Sequence, residues 1–111
     1  MDKSAHKAKI RELNDSLRTT FTGGRVMMTG GVRELTDDAR SQLIETVQGF
    51  TAFNRGNDPH GEHDFGSIEI DGTKFFWKID YYDLAMGQHS VDPANPDATI
   101  RVLTLMRADE Y

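Results

Sequence analysis

Along residues 7–21 the apolar side chains Ile10, Leu13, Leu17 and Phe21 recur at spacings of three and four, one stripe of an amphipathic helix. Thr22-Gly23-Gly24 ends it. The short apolar run Arg25–Thr29 sits between two Thr-Gly-Gly triplets and reads as a buried strand. A second helix is expected from Thr36 as N-cap, with Asp37 and Asp38 in the first turn and Ala39, Leu43, Val47 and Phe50 on one face. Residues 54–64, Asn-Arg-Gly-Asn-Asp-Pro-His-Gly-Glu-His-Asp, hold no apolar side chain and are expected as a surface loop.

Beyond that loop polar and apolar residues alternate from Gly66 to Asp71, Asp71-Gly72 suits a type I′ turn, and Thr73–Asp80 is rich in strand formers. A two-residue turn at 71–72 pairs Ile70 with Thr73, Glu69 with Lys74, Ile68 with Phe75 and Gly66 with Trp77. Opposite charges then face each other, and a glycine leaves room for the indole. The face carrying Ile68, Phe75, Trp77 and Ile79 is the expected core. Residues 81–98, with Asp92-Pro93-Ala94-Asn95-Pro96-Asp97, are expected as an irregular crossing loop. Ala98–Met106 is apolar on both faces, as in an interior strand. The expected order is α-β-α-β-β-β: a single α+β domain over residues 1–111, with a mainly antiparallel four-stranded sheet, two helices packed on one face and residues 1–6 as a disordered tip.

Composition narrows the chemistry. The chain has 111 residues, 37% of them hydrophobic, and no cysteine, which removes disulfides, thiolate metal sites and a thiol nucleophile. The polar N-terminus does not resemble a signal peptide and no apolar run is long enough to span a bilayer, so a cytoplasmic protein without a membrane role is expected. Residues 1–33 hold seven of the thirteen basic residues and three of the eighteen acids, making that stretch net +4 and the remainder −9 within a total of −5. A surface of that sign disfavours phosphate backbones, so no nucleic-acid partner is expected.

The 54–64 loop supplies Asp58, His60, Glu62, His63 and Asp64, residue types that ligate zinc, manganese or iron. Their spacing matches no helical His-Glu-x-x-His frame. The competing reading has Asn57 and Asp58 forming Asx turns and the histidines holding backbone groups. Extending the hairpin register sets His63 opposite Asp80, a carboxylate-oriented imidazole suited to general-base work or to fastening a strand end. Ser67 lies four rungs away, about 13 Å, too far to complete a triad. The Thr29-Gly30-Gly31 turn lacks the phosphate-loop lysine, and Glu34, Asp37 and Asp38 crowd the helix entrance that follows. Trp77, Tyr81 and Tyr82 could stack on bases, yet strand alternation places Trp77 in the core. Met27, Met28 and Met106 read as core filler.

The strings Asn-Asp-Pro-His-Gly-Glu-His-Asp-Phe-Gly at 57–66, Phe-Phe-Trp-Lys-Ile-Asp-Tyr-Tyr-Asp at 75–83 and the tail Arg-Val-Leu-Thr-Leu-Met-Arg-Ala-Asp-Glu-Tyr from 101 resemble a family of small bacterial proteins grouped as domain-of-unknown-function family 3768. The resemblance runs from about Ile10 to the end of the sequence. It implies a bacterial, often plasmid- or mobile-element-linked setting and carries no activity with it. The residues and the resemblance together lead to the expectation of a non-enzymatic protein-interaction module without a cofactor, an accessory or anti-defence factor whose partner is another protein. The alternative is a metal-dependent hydrolase built on the 58–64 loop with Asp80. An acidic nucleic-acid mimic is a third reading, weakened by thirteen bases among eighteen acids.

Overall fold

The computed structural model describes residues 2–111. Helix α1 spans Lys3–Thr20, with the Asp2 carboxylate accepting from the Ala5 amide. It therefore runs through residues 3–6, which the sequence reading left outside it. Phe21 closes the helix in the left-handed region, φ 57°, donating its N–H to the Leu17 carbonyl. Strand β1 (Arg25–Met28) follows, then a one-turn helix α2 (Gly30–Arg33) that the glycines at 30–31 concealed from the sequence reading. Helix α3 (Asp37–Gln48) starts where expected, its Thr36 hydroxyl accepting from the Ala39 amide.

Strands β2 (Phe65–Ile70) and β3 (Thr73–Tyr82) form the hairpin in the expected register, with Gly66 opposite Trp77 and Glu69 opposite Lys74. Asp71 and Gly72 take φ of 50° and 81°, the positive values a type I′ turn demands. β3 runs two residues past Asp80 into the expected loop, and Tyr82 also bridges to His89. Strand β4 (Ile100–Arg107) is followed by a 3₁₀ turn (Ala108–Glu110).

The sheet order is β1-β4-β3-β2. β4 pairs antiparallel with β3 and parallel with β1, so the four-stranded sheet is mixed rather than mainly antiparallel. The chain reaches this arrangement because the segment after β1 carries α2 and α3 across one face before β2 joins the far edge. One face packs Ile10 and Leu17 of α1, Val32 of α2 and Leu43 and Val47 of α3 against Ile68, Phe75, Trp77, Ile79, Leu103 and Leu105. Trp77 is fully buried there. Among the described residues α1, α2 and α3 all send their buried apolar side chains to that face, and the other carries Phe65, Phe76, Lys78, Asp80, Tyr82, Val102, Thr104, Met106 and Met27; this set follows from strand alternation and the register.

Candidate functional site

The 54–64 loop begins with an Asx turn at Asn54, not at the expected Asn57 and Asp58. Asn54 Oδ1 accepts from the Gly56 and Asn57 amides at 2.8 and 3.1 Å, while Asn57 accepts from the Asn54 amide and donates to the Ala52 carbonyl. The second half docks on α1. Arg11 donates to the Gly61 carbonyl at 3.0 Å, Asn14 Nδ2 to the Glu62 carbonyl at 3.0 Å, and His63 Nδ1 meets Asp15 Oδ1 at 2.9 Å. His63 is also stacked flat on Phe53, ring centroids 3.7 Å apart, with Asp58 Oδ2 at 3.6 Å from Nε2. The Asp58 side chain is buried and its other oxygen accepts from the His63 amide.

His63 does not face Asp80. The β2–β3 ladder ends at Phe65 opposite Lys78, and His63 sits at φ 55°, a left-handed kink that turns its ring toward α1. Asp80 lies on the uncovered face, paired with Lys78 Nζ at 2.9 Å. Ser67 is on that same face, exposed, by strand alternation from Phe65. A base–nucleophile arrangement does not assemble around these residues.

The five loop candidates for metal disperse. Asp58 and His63 meet, Glu62 turns to Tyr81, His60 is exposed, and Asp64 enters a cleft of about 250 Å³ with Asp80, Tyr81, Tyr82 and His89. Burial, and then the nearby Glu62 charge, push the Asp64 carboxyl above its ordinary value. Among the described residues no group of three His, Asp or Glu side chains converges as a ligand set.

Pattern reading missed the polar centre of the molecule. Asn14 is fully buried; its Nδ2 donates to Tyr81 Oη at 2.7 Å and its Oδ1 accepts from Arg101 Nε at 2.8 Å. Tyr81 in turn donates to Glu62 Oε1 at 2.9 Å, and Arg101 donates to the Pro93 carbonyl and lies 5.2 Å from the Tyr81 ring centre. Burial raises the Tyr81 phenol and lowers Arg101 relative to their ordinary values. This chain of bonds ties α1, the 54–64 loop, β3, β4 and the crossing loop together, and among the described residues none of its members has a fully buried side-chain polar atom without a partner. Its signal was an asparagine within the helical stripe of Ile10, Leu17 and Phe21.

Arg18 was also missed. Buried beneath Phe53 and Trp77, it donates to the carbonyls of Val47, Gln48 and Phe50 and to Asp15, closing the C-terminal end of α3. The Thr29-Gly30-Gly31 turn holds an anion despite the acids Glu34, Asp37 and Asp38 that follow it in the chain. That anion is the chain's own Glu110, which accepts from the Gly31 amide at 2.9 Å, the Thr29 hydroxyl at 2.7 Å and the Arg107 amide at 2.9 Å. These donors hold its carboxyl below the ordinary value.

On the other face of the sheet Val102 and Met106 are buried, whereas two apolar side chains are exposed: Met27, read as core filler, at 54%, and Tyr111, at 76%. A hollow of about 670 Å³ lies between them, lined by Tyr82, Met86, Val102 and Met106 with the Lys78–Asp80 pair at its floor. Among the described residues no helix is long and apolar enough to cross a membrane.

No curated protein and no solved structure matches the chain. Residues 28–110 match the family described as protein of unknown function (DUF3768), and the chain belongs to that family. The matched span holds Glu62, His63, Tyr81 and Arg101, whereas Asn14, Asp15 and Arg18 of α1 precede it.

Proposed function

We propose that this DUF3768-family chain is a non-catalytic module that docks another protein through the uncovered face of its sheet. The observation that carries the reading is where the side chains go. Residues with catalytic potential, His63, Asp58, Glu62 and Tyr81, are engaged in contacts that fasten loop to helix and strand. Apolar side chains that a self-sufficient fold would cover, Met27 and Tyr111, border an open hollow. Apolar surface gathered around a concavity and rimmed by polar groups is the usual mark of a protein-binding site. The uneven charge along the chain, positive to residue 33 and negative beyond it, gives a small protein a means of orienting its approach.

The test is quantitative co-purification of the tagged chain from its own host cell. A stoichiometric partner should be retained by the wild type and by Val91→Asp, a control at a 96% exposed position on the crossing loop, and lost in Tyr111→Asp combined with Met86→Asp. Absence of any stoichiometric partner, or equal loss in both variants, contradicts the reading.

A further inference from the structure

β1 forms one edge of the sheet and pairs only with β4. Thr29 donates its amide to the Leu105 carbonyl across that parallel ladder. Alternate residues of a strand address the same neighbour, so Arg25 and Met27 share the orientation of Thr29 while Val26 and Met28 point their N–H and C=O groups away from the sheet. Among the described residues those four backbone groups have no partner, an open template for another strand.

The space beside them is shaped for an occupant. A groove of about 670 Å³ is lined by Phe21, Val26, Met27, Met28 and Arg33. Val26 and Met28 lie on the helix-covered face and Met27 on the uncovered one, so a hollow touched by all three wraps the outer edge of β1. Its lining is apolar except for Arg33. Arg25 and Arg33 are exposed, and neither forms an ion pair among the described residues. At this end of the sheet Glu110 is already held by three donors at Thr29, Gly31 and Arg107, while Glu34, the chain neighbour of Arg33, is exposed and forms no ion pair among the described residues. Met27 lines this groove and the hollow on the uncovered face alike, so the two surfaces are continuous.

We propose that β1 is a strand-addition site for an extended segment of a partner protein, apolar at alternate positions and carrying acidic residues at its flanks. Val26 and Met28 supply the backbone pairing, Phe21 and the β1 side chains receive the apolar positions, and Arg25 and Arg33 select carboxylates. A second copy of this chain is the poorer occupant, because pairing β1 with itself brings four arginines to one seam. This inference rests on the docking reading above and names the chemistry of the partner.

The experiment pans a displayed library of random peptides of about twelve residues against the whole chain and measures the enriched peptides by fluorescence anisotropy and amide chemical shifts. Enriched sequences should alternate apolar residues between Asp or Glu flanks and should shift the Val26 and Met28 amides. Arg25→Glu with Arg33→Glu, both exposed and so compatible with folding, should weaken them about tenfold and favour Lys-flanked peptides instead. Val26→Pro, which removes an outward N–H without touching the β4 ladder, should weaken them about tenfold while circular dichroism stays native. No enrichment, enriched peptides that leave the Val26 and Met28 amides unmoved, or self-association through β1 in sedimentation overturns the proposal. If the co-purifying partner survives the Arg25→Glu/Arg33→Glu and Val26→Pro variants yet is lost in Tyr111→Asp with Met86→Asp, strand addition fails and the docking reading stands.

Discussion

A methyl group added at Gly66 meets the tightest packing in the core. An ideal Cβ there lies 2.3 Å from Trp77 Nε1, 2.6 Å from Trp77 Cε2 and 2.8 Å from Phe50 Cζ. Ordinary carbon contacts begin at about 3.5 Å, so the overlap approaches ~1 Å. The indole cannot recede, because Phe50 and Phe53 meet it edge-on at 5.4 and 6.1 Å between centroids and the Arg18 guanidinium lies 5.3 Å from its ring. Gly66→Ala should therefore destabilise by about 2–3 kcal/mol, the upper part of the overpacking range. At about 4 °C per kcal/mol for a domain of this size, the melting temperature falls by roughly 8–12 °C. The assay is thermal and urea denaturation in two backgrounds. In Trp77→Phe the two closest colliding atoms are gone and only the 2.8 Å approach to Phe50 Cζ remains, so the same Gly66→Ala change should cost at least about 1 kcal/mol less than in the wild type, and the cycle should show that coupling. A Gly66→Ala protein as stable as the wild type, or an equal cost in both backgrounds, refutes the packing argument.

Three further outcomes are expected. Trp77→Ala should cost about 3–5 kcal/mol as a large truncation of a fully buried side chain, and a loss under about 1 kcal/mol in urea denaturation would mean the indole is exposed. Gly72→Val should cost about 1–2 kcal/mol through backbone strain alone, since no atom lies within 4 Å of its Cβ position while φ is +81°; a wild-type melting temperature would contradict the turn. The Asp64 carboxyl titrates above its ordinary 3.8 when folded, so its charge opposes folding at neutral pH and that opposition fades as pH falls toward 3.8. Asp64→Asn should accordingly raise the urea midpoint at pH 7 and lose that advantage near pH 4, and an advantage that grows on acidification would contradict the burial argument.

What could be seen in the sequence was local. The β2–β3 register follows from a two-residue turn and one glycine opposite one tryptophan, all within a dozen residues. The pairing of β1 with β4 sets Arg25 beside Val102, far apart in sequence with no turn to announce the partner, and the expected sheet lost its parallel edge for that reason. The His63–Asp80 pairing failed on a single backbone angle, because extrapolating a ladder presumes extended φ and His63 has φ 55°. Asn14 and Arg18 were hidden by their residue types: polarity predicts exposure, and here Asn14 is buried among Glu62, Tyr81 and Arg101 and Arg18 among the carbonyls that end α3, with only its Nε left without a partner. The loop stood out by composition, but its Asx turn falls at Asn54 rather than at the expected Asn57 and Asp58, and its anchorage to α1 depends on tertiary contacts nearly fifty residues apart.

The account stands or falls on whether the polar residues of the 54–64 loop hold the fold or hold a ligand, and one denaturation experiment separates the two. Wild type and His63→Gln are melted in chelator and again with zinc or manganese at about 100 µM. His63→Gln should lose about 1 kcal/mol, for its bond to Asp15 and its stack on Phe53, and by the same amount in every condition. Metal should move neither protein by more than about 1 °C. A metal site of micromolar affinity would add about 2.7 kcal/mol at a hundredfold excess, close to 10 °C. A stabilisation of that size in the wild type that vanishes in His63→Gln would contradict the account and return the loop to metal chemistry.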